Sequence, residues 1–351
     1  MTFISDMWLP LMISAGLAAF LMNYLNPIAH QIGLVDQPDA RKRHSIPIPL
    51  IGGIAIIVSI MFALPLLPFG LGRFRLFLLG LGILAIVGVL DDHQDLSARV
   101  KFIFQLVVAS MLVLGDELVV RSIGDIFSWN DGNELGLGPL AVPLSILAVI
   151  GVVNAFNMID GHDGLASSLF LVSIISIIIL TITGGGGKYV YFCSVFAVVV
   201  SVFLVFNLSE IVGEKRQIFL GDAGSMCLGL ILVYVLIDLS QRQMPILRTA
   251  TAIWVMGIPV LDLVSVVIMR IQKKRSPLKA DRQHIHHVLL YIGLTKIGVL
   301  VTLVCLQVLF CSVAIVANVT PYISDWMLFW GMFPVLVAYY WLAYRCARIT
   351  D

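Results

Sequence analysis

Asp91-Asp92-His93-Gln94-Asp95 places three carboxylates within five residues, directly after an apolar run that ends at Leu90. Carboxylates so close repel one another, and Asp92 and Asp95 share a face if a helix continues through them. A cation among the oxygens would stabilise the group, and Mg²⁺ is a hard ion that takes carboxylate and phosphate oxygens while keeping several waters. A solvated loop that merely stops the helix is the plainer alternative. A second stretch, Asn154-Ala-Phe-Asn157-Met-Ile-Asp160-Gly-His162-Asp163-Gly-Leu165, follows another apolar run. Asn154, Asn157 and Asp160 step by three and line one helical face, and Asp163 continues the step if the helix does. An Asn can bind helix to helix inside a membrane, but two Asn and two Asp in register exceed that need, because such groups are costly there.

A third motif, Phe219-Leu220-Gly221-Asp222-Ala223-Gly224-Ser225, sets an Asp between glycines at the start of an apolar run. It fits a tight turn into a helix N-terminus, where free N–H groups suit a phosphate and the Asp suits a metal. An ordinary helix cap is the competing reading. A fourth, from Lys273 to His287, combines a basic run with Arg282, His284, His286 and His287. Lysines beside a membrane often bind anionic lipid nonspecifically, whereas His near neutral pH can donate to phosphate or move protons. Zinc is conceivable there, but the excess of carboxylates over soft ligands favours Mg²⁺ or Mn²⁺. A weaker stretch, Asp36 to His44 followed by Pro47, Pro49 and Gly52-Gly53, offers cations to a polyanion or serves only as a topology signal.

The elements that must position these motifs are membrane helices. Of the 351 residues, 60% are hydrophobic and 12% charged, against roughly 25% charged in soluble domains. The net charge of +1 singles out no partner. A span needs about 20 apolar residues, and only helices satisfy their backbone over runs this long. Eleven runs qualify: 7–25, 50–68, 74–90, 102–118, 138–157, 165–183, 188–208, 219–238, 249–269, 297–317 and 326–344. The first lacks a basic leader and a small-residue cleavage site, so it is expected to be a span and not a cleaved signal. The five cysteines are scattered, without metal or redox spacing, and no disulfide is expected. The acidic stretch from Asp125 to Glu134 reads as a solvated connection, and Asp262 falls within a predicted span with no role assigned.

With the N-terminus outside, Lys and Arg divide 16 inside to 6 outside, which sets a periplasmic N-terminus and a cytoplasmic C-terminus. The same arrangement puts all seven histidines and Asp91, Asp92, Asp95, Asp160, Asp163 and Asp222 on the inner side. Those residues played no part in the assignment. The expectation is an all-α polytopic protein of about eleven spans, a single domain over 1–351. Its one cytoplasmic site would be built from loops near 36–53, 91–101, 154–165, 207–225 and 270–296. An ion-coupled transporter would place its polar groups near mid-span in two similar halves, and no repeat is visible. A membrane prenyltransferase would carry a second Asp-rich copy, where this chain has Asn, Gly and His.

Taken in this order, the stretches Asp36 to Gly53, Asp91 to Asp95, Asn154 to Leu165, Phe219 to Ser225 and Ser276 to His287 resemble the polyprenyl-phosphate N-acetylhexosamine-1-phosphate transferase family over nearly the whole chain. Asp281-Arg282-Gln283-His284-Ile285-His286-His287 resembles the N-acetylglucosamine branch. The muramyl-pentapeptide branch usually has three consecutive His there, and a lysine where this chain has Ser45. The resemblance implies transfer of N-acetylglucosamine 1-phosphate from UDP-N-acetylglucosamine to undecaprenyl phosphate, with UMP leaving, at a bacterial inner membrane. It implies Mg²⁺ (or Mn²⁺), the lipid bilayer and no nucleic acid as partners, and it leaves a homodimer open. By the same resemblance Asp222 is a metal ligand, with Asp92 or its neighbours close to the metal, and Asp91 and Asp92 are catalytic candidates. Asp91 takes the proton of the lipid phosphate or assists its attack. Asn154, Asn157, Asp160 and Asp163, with Asn207, shape the nucleotide-sugar pocket, and Phe219 stacks on uracil. Arg282, His284, His286 and His287 bind phosphate or sugar, and His284 is also a catalytic candidate. Whether the lipid phosphate attacks directly or an Asp attacks first is left open.

Overall fold

A computed structural model describes residues 2–38, 45–127, 134–243, 245–274 and 284–350. Helices dominate: α1 (Thr2–Ile32), α2 (Gly52–Ala63), α3 (Arg75–Gln94), α4 (Ala98–Gly115), α5 (Ala141–Ile159), α6 (Leu165–Thr183), α7 (Gly187–Asn207), the single turn α8 (Ser209–Val212), α9 (Gly221–Ser240), α10 (Thr249–Gln272), α11 (Ile285–Tyr291), α12 (Lys296–Val319) and α13 (Asp325–Thr350). Two short strands, β1 (Val35–Asp36) and β2 (Ile48–Pro49), pair antiparallel with Val35 opposite Pro49 and Asp36 opposite Ile48. Among the described residues, ten helices are long and apolar enough to cross a membrane.

The eleventh expected run forms a shorter apolar helix, Gly52–Leu66. At one end of this segment Gly52 and Gly53 donate to the carbonyls of Phe219 and Leu220. Beyond its other end Phe69 packs on Phe74 and Tyr191. It therefore runs from the start of α9 to the residues that open α3 and α7. The shortening has a visible cause: Pro65 turns its last residues into a 3₁₀ turn.

The bundle is organised around α9, which is buried along its whole length. It packs against α2, α3, α5, α6 and α10. A helix ringed this closely needs neighbours with little side chain at the contact. Gly53 of α2 lies against the backbone of Gly224, and Gly88 of α3 against the backbone of Ala223; a Cβ at either position would overlap those atoms. These contacts fix the first turn of α9, where Asp222 sits, directly against the end of α3.

On the far side, α10 departs from helical geometry at Gly257 and carries Pro259. Such a break frees backbone groups, and the buried Gln307 of α12 satisfies them. Its Oε1 accepts from Ile258 N at 3.0 Å and its Nε2 donates to Val255 O at 2.8 Å. The described cysteines Cys193, Cys227, Cys305 and Cys311 are free thiols.

Replacing Gly88 by Ala is expected to push α3 away from α9 and to cost about 1–3 kcal/mol of folding stability. Thermal unfolding in detergent measures this; an unchanged midpoint would mean the helices are not held at that distance.

Candidate active site

The ends of these helices surround a cavity of about 980 Å³. All six inner-side carboxylates singled out from the sequence line it: Asp91, Asp92, Asp95, Asp160, Asp163 and Asp222. His93, His162, His287, Asn207, Phe219 and Lys296 are also on its wall. Sequence reasoning placed these groups on one side of a membrane; the fold brings them to one cavity.

The end of α3 is built to expose its acids. The helix stops at Gln94, and Asp95 takes a left-handed conformation (φ 52°) while its N–H donates to Asp91 O. Asp92 and Asp95 therefore do not share a continuing helical face. The chain turns, Ser97 caps the next helix by accepting from Val100 N, and α4 begins at Ala98. This hairpin returns Lys101, in the first turn of α4, to the acids. Its Nζ lies 2.7 Å from Asp91 Oδ2 and 3.1 Å from Asp222 Oδ2. Asp92 accepts from the backbone N–H of Asp222 at 2.9 Å, so one carboxylate caps the helix that carries the other. That bond occupies an N–H which the sequence left open for phosphate. The second Asp92 oxygen, Oδ2, and Asp91 Oδ1 are buried without hydrogen-bond partners.

Asp160 ends α5 on the same cavity. Burial, reinforced by the carboxylates of Asp222, Asp92 and Asp163, pushes its carboxyl well above the usual range. Asp163 lies 3.5 Å from Lys296 Nζ at the start of α12. Asn154 donates to Gln105 Oε1 at 2.6 Å and to Ile150 O, and Asn157 to Ser225 Oγ at 3.1 Å. The two amides thus tie α5 to α4 and α9, and they stand behind the cavity wall. Asn207 accepts from Gly164 N at 2.6 Å and donates to Ile218 O at 2.8 Å, which pins the turn after Asp163 to the segment before Phe219. Phe219 is set by backbone bonds: its N–H donates to Pro49 O and its carbonyl accepts from Gly52 N.

His287 faces the cavity from α11, while His284 and His286 are buried behind it. Their rings form a stack, with centroids 5.9 Å apart for His284–His286 and 4.2 Å for His286–His287. Burial, then the neighbouring imidazoles, holds His286 well below the usual imidazole range. Arg282 lies outside the described residues, as do the first-loop cations Arg41, Lys42, Arg43 and His44. Ser45 donates to Glu214 Oε2 at 2.7 Å.

Sequence reasoning missed Lys101, which entered it only as a topology charge. No periodicity links residues ten apart across a helix, a turn and another helix. The cap signal of Ser97 after the acidic run was the available clue to a hairpin. Among the described residues, no group of three or more His, Cys, Asp or Glu is arranged to hold a metal ion.

A polytopic helical bundle with an acidic, lysine-bridged cavity at its helix ends agrees with one family of membrane enzymes. The model of Glycosyl transferase family 4 matches residues 74–240, and the similarity to curated relatives extends over most of the chain, so the chain belongs to this family. The undecaprenyl-phosphate alpha-N-acetylglucosaminyl 1-phosphate transferase of Escherichia coli K12 is 32% identical over 306 residues, 87% of this chain and 82% of the relative. The protein of the same name from Haemophilus influenzae Rd is 32% identical over 337 residues, 95% of this chain and 93% of the relative.

Lys101→Ala, which leaves Asp91 and Asp222 without their shared cation, is expected to lower stability by roughly 1.5–3 kcal/mol. Lys101→Arg should recover most of the loss. Unfolding midpoints of the two variants against the parent decide this.

Proposed function

We propose that this chain transfers N-acetylglucosamine 1-phosphate from UDP-N-acetylglucosamine to undecaprenyl phosphate. UMP is released and undecaprenyl-diphosphate N-acetylglucosamine stays in the membrane. The observation that carries the proposal is the convergence of the six acids singled out from the sequence on one cavity at the helix ends, two of them bridged by Lys101. The names of relatives that align over most of their length support the same reaction class. A lipid phosphate lies at the membrane surface and a nucleotide sugar is soluble, so their reaction needs a cavity at that boundary. The product would be the first lipid-linked intermediate of a surface polysaccharide of the O-antigen or enterobacterial-common-antigen kind. The cavity would then face the cytoplasm of a bacterial inner membrane.

Mg²⁺, or Mn²⁺, is the proposed cofactor. The residues fit such an ion: Asp91 Oδ1 and Asp92 Oδ2 are buried oxygens lacking partners, and Asp222 stands beside them on the same cavity. Mg²⁺ typically takes one or two carboxylates and completes its shell with water and substrate phosphate. When bound, it would neutralise and align the two phosphates.

The remaining work falls to the chain's own groups. Asp91 accepts the proton of the lipid phosphate, whose oxygen then attacks the sugar-linked phosphorus. The bond from that phosphorus to the bridging oxygen breaks, and the electron pair leaves with UMP. Lys101 bridges Asp91 and Asp222 and keeps both close to the reacting phosphates. Phe219, held by β2 and the start of α2, offers a ring to uracil. Asp160, Asp163, Lys296 and His287 shape the opposite wall, and Asn154, Asn157 and Asn207 hold the helices that carry it. Arg282 is proposed for the sugar and its phosphate, while His284 and His286, expected from the sequence to contact them, lie buried behind the wall and support His287.

The test uses purified full-length protein in detergent with UDP-N-acetylglucosamine, undecaprenyl phosphate and Mg²⁺, following UMP. Release is expected only when both lipid phosphate and divalent metal are present, and chelation should abolish it. Asp91→Asn is expected to lower kcat by about 10²–10⁴-fold, and Asp222→Asn to remove the metal-dependent rate. Release that survives Asp222→Asn would move the metal elsewhere. Silence with every UDP-sugar, from folded protein, would favour an ion-coupled transporter.

A further inference from the structure

Asp262 is a carboxylate 2% exposed, inside α10 and away from the cavity wall. A buried carboxylate is costly unless its oxygens are matched by donors. Here the matching is complete and comes from three directions. Oδ2 lies 2.6 Å from His284 Nδ1. Oδ1 accepts from the backbone N–H of Ile285 at 2.9 Å and from the Tyr339 hydroxyl of α13 at 3.1 Å. One side chain thus joins α10, the beginning of α11 and α13.

Two consequences follow. A carboxylate only accepts, so it keeps the proton of a neutral His284 on Nδ1 and leaves Nε2 as the lone pair. The bond to Ile285 N also fixes the rotational setting of α11. A slip of one residue would turn that helix by about 100° and take His287 and Leu290 off the cavity wall, where they now stand. The setting is tight on the other side too: a Cβ on Gly161 would lie 2.6 Å from His286 Nε2. Gly161 separates Asp160 from His162, so α11 rests directly on the turn that carries two of the site's carboxylates.

We infer that Asp262 is a positioning residue, which orients His284 and sets α11 against the Asp160–Asp163 turn so that His287 closes the cavity. The inference rests on the transfer reading for its kinetic consequence and on geometry alone for the contact. Tyr339 of α13 holds the same oxygen that accepts from Ile285 N.

The experiment is a double-mutant comparison in detergent-solubilised full-length protein. Asp262→Asn, His284→Ala and the double variant are assayed for kcat and for KM toward UDP-N-acetylglucosamine, with unfolding midpoints measured alongside. Asp262→Asn should lower kcat by about 10–100-fold, the usual cost of removing a group that orients a functional histidine, with KM little changed. The double variant should be no slower than His284→Ala alone. Losses in kcat that multiply, or an Asp262→Asn protein with parental kcat, would overturn the inference. If Asp262→Asn does not fold, Tyr339→Phe takes its place in the same comparison, with a smaller loss expected and the same non-additivity required. If the parent protein is silent with every UDP-sugar, the transfer reading fails. The contact is then read from the midpoints, where non-additive losses support it and additive losses reject it.

Discussion

Carboxylates repel one another, and at the edge of a hydrocarbon layer there is little water to screen them. The site described here depends on how that repulsion is offset. Lys101 lies between Asp91 and Asp222, and Asp92 is held by the N–H of Asp222 itself, in the first turn of α9. Both arrangements require α3, α4 and the start of α9 to meet within one side-chain length. The glycines at 53 and 88 permit that approach. The packing of a buried central helix and the electrostatics of the cavity are therefore one constraint: widening the first would separate the charges of the second.

The compensation is incomplete in a particular way. The wall carries eight carboxylates, Asp36 and Glu214 besides the six acids singled out above. Lys101 serves Asp91 and Asp222 and Lys296 serves Asp163, and two carboxylate oxygens of the wall, Asp91 Oδ1 and Asp92 Oδ2, have no hydrogen-bond partner. A structural network would be expected to satisfy such atoms. Leaving them open is consistent with a cavity completed by a cation and by the phosphates that the cation binds. The raised Asp160 carboxyl has the same origin, since burial and three neighbouring carboxylates act on it together.

The legible part of this protein was the part governed by local pattern. Apolar runs of span length announced the helices: among the described residues ten are long and apolar enough to cross a membrane, and the remaining run forms the shorter helix Gly52–Leu66. The acids of the three motifs were found because each follows or opens an apolar run. What the sequence concealed depends on three-dimensional approach. Lys101 reads as a flanking charge until the hairpin at Asp95–Ser97 folds it back. Asn154 and Asn157 share a face with Asp160, as their spacing required, yet that face turns from packing to cavity along its length, and only its end reaches the pocket. Asp262 stood alone in an apolar run, and its three partners lie 22, 23 and 77 residues away in sequence.

Buried acids also occur at the opposite end of the bundle, and the contrast separates structure from chemistry. Asp238, near the end of α9, receives Arg73, Arg242 and the Tyr189 hydroxyl. Both its oxygens are engaged, the cations match it, and the group staples the turn before α3, α7 and the end of α9 together. Asp222, at the other end of the same helix, shares one lysine with Asp91 beside oxygens that have no donor at all. The same residue type in the same helix is thus saturated at one end and left short of positive charge at the other. Composition alone cannot tell these ends apart. The difference between these two carboxylates lies in what is brought to each: two arginines and a hydroxyl to Asp238, and one shared lysine to Asp222.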